Sequence, residues 1–111
     1  MAFDAGWAER LRDLFAGLPD VSERRMFGGL ALMWRGHMCV GIVGDTLMVR
    51  VGAAAYAAAL ARPHARPMDF TGRPLRGYVY VAPEGFAEDA DLAAWVDAAR
   101  ACVAALPAKS A

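Results

Sequence analysis

A chain of 111 residues, 58% hydrophobic and 22% charged, fits one folded domain with one core and excludes a disordered chain. Net charge is zero but unevenly laid out: residues 1–23 carry five acids and two arginines (net −3), residues 24–76 eight arginines and two aspartates (net +6), and residues 77–111 five acids and two bases (net −3). Two cysteines without a C-x-x-C spacing exclude a disulfide scaffold, and no apolar run approaches the roughly 18 residues of a membrane span.

Asp4 is a suitable N-cap for a first helix, and Trp7, Leu11, Leu14, Phe15 and Leu18 then share one stripe before Gly17 and Pro19 stop it. Asp4, Glu9 and Arg10 interrupt the apolar run that a secretory signal requires, so a cytoplasmic location is expected. A polar link of residues 20–23 leads to three apolar runs, residues 30–35, 37–43 and 46–51, separated by Arg35-Gly36 and Gly44-Asp45. That spacing predicts a three-stranded meander. The alanine-rich stretch after it predicts a short helix over residues 53–62, stopped by Pro63. A fourth strand is expected around residues 67–70 and a fifth over residues 75–82, closed by Pro83. The last helix spans residues 89–106, with acids in its first turn and Leu92, Trp95, Val96, Ala99, Val103 and Leu106 on one side. Residues 107–111 are expected to fray.

The order α-βββ-α-ββ-α predicts an α+β fold: a single antiparallel five-stranded sheet with helices on one face, a two-layer sandwich over residues 1–111. Arg25-Met26-Phe27-Gly28-Gly29, followed by Gly36-His37-Met38-Cys39 and then Leu47-Met48-Val49-Arg50, resembles the N-terminal domain of the TfoX/Sxy family. The stretch from Ala65 to Val81 is similar to the same family's second β-hairpin. The resemblance implies an α+β sandwich and an association with competence genes as a transcriptional co-activator. It implies no catalytic mechanism and no cofactor. The full-length regulators carry a second, helical domain, so a stand-alone N-terminal domain is expected here.

The chemistry-bearing residues do not form a constellation in sequence, and a non-enzymatic protein is expected. His37 and His64 have no spacing that pairs them with a Cys, Asp or second His, so no metal site is expected. Ser22 and Ser110 lie in no nucleophile elbow. Cys39 reads as a small apolar filler, although Arg50 across the hairpin could lower its pKa. Gly28-Gly29 precedes a strand, which suits a bend or bulge and not a phosphate loop.

Two-residue loops, at Arg35-Gly36 or Gly36-His37 and at Gly44-Asp45, predict that Met33, Met38, Val40, Ile42, Leu47, Val49 and Val51 share the core face with Leu75, Val79 and Val81. The opposite face then carries Leu30, Leu32, Trp34, Cys39, Met48, Tyr78 and Tyr80, with Arg50 and Arg76 among them. Something must cover it. Trp, Tyr, Met and Arg favour a protein interface there, either with a transcription partner or with a second copy in a homodimer. The alternative is weak nucleic-acid binding, with aromatics stacking bases and arginines holding phosphates. Arg76-Gly77-Tyr78-Val79-Tyr80-Val81 matches the start of an RNP1 strand in part, but Pro83 stands where an aromatic belongs.

Overall fold

The computed structural model describes residues 3–69 and 72–107, and its sheet is organised by two-residue turns. Phe27-Gly28 (φ 56° and 77°) and Arg35-Gly36 (φ 56° and 84°) each place two successive residues in the left-handed region, the signature of a type I′ hairpin turn. Such turns join strands β1 (Val21–Met26), β2 (Gly29–Trp34) and β3 (His37–Val43), and Gly44-Asp45 joins β3 to β4 (Thr46–Arg50). A short helix, α2 (Tyr56–Leu60), leads to β5 (Ala65–Pro67) and β6 (Tyr78–Val81). The resulting antiparallel sheet has six strands in the order β1-β2-β3-β4-β6-β5.

The sheet thus has one strand more than the sequence predicts. β1 replaces the expected polar link: its four central residues, Ser22 to Arg25, are exposed, so no alternating apolar face announces it. It is held instead by the Phe27-Gly28 turn and a full backbone ladder to β2, from Val21↔Trp34 to Met26↔Gly29. The fourth predicted strand starts earlier, at Ala65, and Phe70 lies outside the described residues. The fifth shortens to Tyr78–Val81. Of the expected frayed tail only Pro107 is among the described residues.

Helices α1 (Ala5–Phe15) and α3 (Asp89–Ala104) cover one face of the sheet together with α2. Asp4 caps α1 by accepting from the Trp7 amide at 3.0 Å, as the sequence predicts. Ala8, Leu11 and Phe15 of α1 and Leu92, Trp95, Val96, Ala99 and Val103 of α3 enter the core. They meet Val40, Ile42, Leu47, Val49, Val79 and Val81 from the sheet, all fully buried. Arg35, on the β2–β3 turn, donates to the carbonyls of Val103 and Ala104, both at 3.1 Å. That cation satisfies orphan acceptors at the negative end of α3. His37 Nε2 meets the Pro107 carbonyl at 2.6 Å, so the same hairpin also fixes the chain just beyond the helix.

A β-bulge corrects the predicted facing. Leu32 pairs with Val40 and Met33 with Met38, which leaves Cys39 without an opposite residue. Cys39 and Val40 consequently both face the helices, and every residue before the bulge has the opposite orientation from a regular ladder. Leu30, Leu32 and Trp34 belong to the helix-side core, while Met33 and Met38 belong to the outer face. Leu75 packs on the outer face as well.

Candidate interaction face

On the outer face, strand register aligns a row of residues across the whole sheet. Arg24 of β1 lies beside Ala31, then Gly41, Met48, Tyr80 and finally Arg66 of β5. The centre of this row is small because Gly41 has no side chain. A Cβ there would lie 2.7 Å from the Met48 methyl, so Met48 crosses the glycine. Arginines stand at both ends.

This face is already covered by its own chain. Ala31, Met48 and Met68 have no exposure, and Met33, Met38 and Tyr80 are buried with them. Part of the cover is the β5–β6 connection, which brings Met68 and Leu75 onto the sheet and pins them by backbone hydrogen bonds from Met68 to Tyr78 and from Leu75 to Met68. Met26, Phe27, Val43 and Tyr78 complete the margin. The expectation that Leu32, Trp34, Met48 and Tyr80 share one face that needs a cover from another chain is therefore corrected. Leu32 is core, Trp34 is half-buried on the helix side between Arg35 and Arg100, and Met48 and Tyr80 lie beneath the connection.

What remains at the surface is arginine. Arg50 lies over Tyr78 at 5.4 Å from the ring centroid and donates to the Met38 carbonyl, while Arg66 lies over Tyr80 at 4.7 Å. Burial raises the Tyr80 hydroxyl pKa, nearby Asp69 adds to that rise, and Arg66 opposes it. Arg24, Arg73 and Arg76 are exposed. Among the described residues the ion pairs involve only Arg10 and Arg12, so none of the eight arginines between residues 24 and 76 has a carboxylate partner. The acidic helices do not neutralise them by direct pairing.

The structure thus brings Met48, Arg50, Tyr78 and Tyr80 together, puts Arg76 beside them in sequence at an exposed position, and removes Leu32 and Trp34 to the other side. Sequence reasoning left Arg24 and Arg66 out of the candidate face. Arg24 lay in the unrecognised edge strand, and Arg66 one residue before the predicted start of its strand. The Phe27-Gly28 pair, read as a hairpin turn, would have signalled β1.

The motif residues Arg25, Met26, Phe27, Gly28 and Gly29 form the β1–β2 hairpin end. Met26 pairs with Gly29, and Arg25 reaches over the Phe3 ring at 5.3 Å. Gly29 is required by space, because an added Cβ would clash with the Ile42 carbonyl and lie 2.8 Å from the Val43 Cα. The remaining candidates do not converge. His37 is buried at the end of α3, His64 is exposed near α2, and burial pushes the Cys39 thiol up to about 12. Among the described residues no three His, Cys, Asp or Glu side chains gather as a metal-binding group, and no helix is long and apolar enough to cross a membrane.

The model of one protein family, the TfoX N-terminal domain, matches residues 13–103. No curated protein and no solved structure gives a significant match.

Proposed function

The chain belongs to the TfoX N-terminal domain family, and from that premise we propose that it is a non-enzymatic protein-interaction module of cytoplasmic transcriptional regulation, with competence as the process the resemblance suggests. The observation that supports this reading is the set of unpaired arginines around the outer sheet face: Arg50 and Arg66 stacked on tyrosines, Arg24 and Arg76 exposed. A guanidinium resting on an aromatic ring keeps its donor fork in a narrow range of positions, so little rotamer freedom is lost on meeting a carboxylate. Acidic side chains of a partner protein are the matching acceptors. A thiol held at about 12 is a poor nucleophile, which agrees with a binding role.

Nucleic-acid binding is the weaker alternative. Base stacking needs open ring faces, yet Tyr80 is 8% exposed and guanidinium groups occupy Tyr78, Tyr80 and Trp34. Phosphate contacts alone would give weak, salt-sensitive binding. For a homodimer one route is the outer margin of the edge strand β1: an antiparallel copy centred on Arg24 would set Glu23 against Arg25 of the partner subunit.

The test compares the parent with an Arg66→Glu/Arg76→Glu variant in two assays. Bound macromolecules are captured from native cytoplasm and identified, and retention on heparin is measured at physiological salt. The expected result is a protein captured by the parent and lost by the variant, with little heparin retention. Tight retention with a steep salt dependence, abolished in the variant, would replace this reading with the nucleic-acid one.

A further inference from the structure

Away from the arginine face, the helix layer contains a groove of about 440 Å³ between α2 and α3. Gly52, just before α2, approaches Cys102 near the end of α3: an added Cβ would lie 3.1 Å from its Sγ. Arg62, just after α2, lies over Trp95 near the middle of α3, 3.5 Å from the ring centroid. The two segments therefore run antiparallel, and the groove extends along α3 from Trp95 to Cys102, about 10 Å at the helical rise. Its walls include Ala58, Ala98 and Ala101, and Val51 lines the Cys102 end. Alanines reach only one methyl into the space, where the longer side chains usual on helix surfaces would fill it. The result is apolar along its length.

Charge enters at one end only. Arg62 is the single charged residue lining the groove, and among the described residues its guanidinium has no hydrogen bond or ion pair. On its far side it borders a smaller cleft with His64, Glu84 and Asp91, but neither carboxylate comes within ion-pair reach. The planar fork is held on Trp95 with its donors free to accept an anion bidentately. We propose that this groove binds a small apolar acid: a slender hydrocarbon chain lying between the alanine walls, with its carboxylate on Arg62. The volume lies within the usual range of small-ligand sites, roughly 300–1,000 Å³, and the one polar anchor fixes the direction in which the chain lies.

Octanoate is the probe, and Cys102 at the apolar end is the reporter. Iodoacetamide alkylates the thiolate with loss of iodide, and the buried Cys39 thiol, held at about 12, does not compete at neutral pH. Saturating octanoate should slow Cys102 alkylation severalfold, while octylamine should leave it unchanged. Arg62→Leu should raise the octanoate concentration needed by about tenfold, the worth of one charge-assisted hydrogen bond set. Ala98→Phe, which fills the groove, should abolish the effect and provides a second variant should Arg62→Leu perturb folding. Equal protection by octanoate and octylamine, or none by octanoate, would overturn the proposal. Protection that grows with protein concentration in the absence of octanoate would overturn it too, because a second copy would then occupy the groove.

Discussion

Leu32 on β2 faces Val40 on β3 across the hairpin, although the next pair toward the turn, Met33 opposite Met38, follows a different register. The offset determines which side chains enter the helix-side core. Leu32 is 2% exposed there and Leu47 fully buried, whereas a bulge-free hairpin would put Leu32 on the outer face. Truncating either to alanine should cost about 2–4 kcal/mol, and Val79→Ala somewhat less. Denaturant titration of the three variants checks this. Leu32→Ala within 0.5 kcal/mol of the parent would reject the placement of Leu32 in the helix-side core, whereas Leu47→Ala and Val79→Ala test the strands beyond the bulge.

Most of the fold could be read from sequence because its signals are local. Turn pairs such as Gly44-Asp45, the helical stripe of α3 and the Asp4 cap all act within a few residues. The faces of β4 and β6 beyond Cys39 could be read too. What failed was long-range: the bulge follows from packing Cys39 and Val40 together under the helices, and no residue before the turn records it. One unpaired residue therefore reversed Leu30, Leu32, Trp34 and Met33 at once. The cover of the outer face was invisible for a related reason. Met68 and Leu75 come from a connection without periodicity, and only its hydrogen bonds back to β6 show where it lies.

The Arg12–Glu23 pair links α1 to the edge strand, with contacts of 2.6 and 2.9 Å from one guanidinium to both carboxylate oxygens. Hydrogen bonding from Arg12 holds the Glu23 carboxyl below its usual 4.5, although burial opposes the shift. A lowered folded-state value means that the pair stabilises the fold above the ordinary carboxylate range. That contribution is lost as pH falls through the lower folded value. Because Glu23 is 39% exposed, solvent screening limits the effect to under about 1 kcal/mol. Glu23→Gln should therefore be measurably less stable than the parent at pH 7 and indistinguishable from it well below pH 4, by thermal melts across that range.

At alkaline pH the controlling group is Cys39. Burial raises its thiol from 9.0 to about 12, so between those values the unfolded chain ionises while the folded one keeps its proton. Fewer protons on the unfolded state means that stability falls with rising pH, at up to about 1.4 kcal/mol per unit for a single group. Tyr80, also raised by burial, adds to the decline in the upper part of this window. Cys39→Ala should flatten the slope between pH 9 and 10 while lowering stability at pH 7 through the cavity it leaves. An unchanged slope in that variant would mean that Cys39 is not protonated in the folded state over this range.

Gly41 sits where the two strands and Met48 meet, and its lack of a side chain is a packing requirement, since its φ is not left-handed. An alanine Cβ would lie 2.5 Å from the Leu30 carbonyl oxygen, 3.0 Å from the Ala31 Cα and 2.7 Å from the Met48 methyl. Met48 can swing away at modest cost, but the two backbone atoms belong to the β2–β3 ladder and move only if the strands separate. Gly41→Ala should therefore destabilise the domain by about 1–3 kcal/mol, against the usual small gain from replacing a strand glycine. Shortening Met48 in the same chain separates the causes. If the side chain carries the clash, Gly41→Ala/Met48→Ala will be no worse than Met48→Ala alone; if the ladder carries it, as the distances to Leu30 and Ala31 require, the two losses will add to within about 0.5 kcal/mol in a double-mutant cycle.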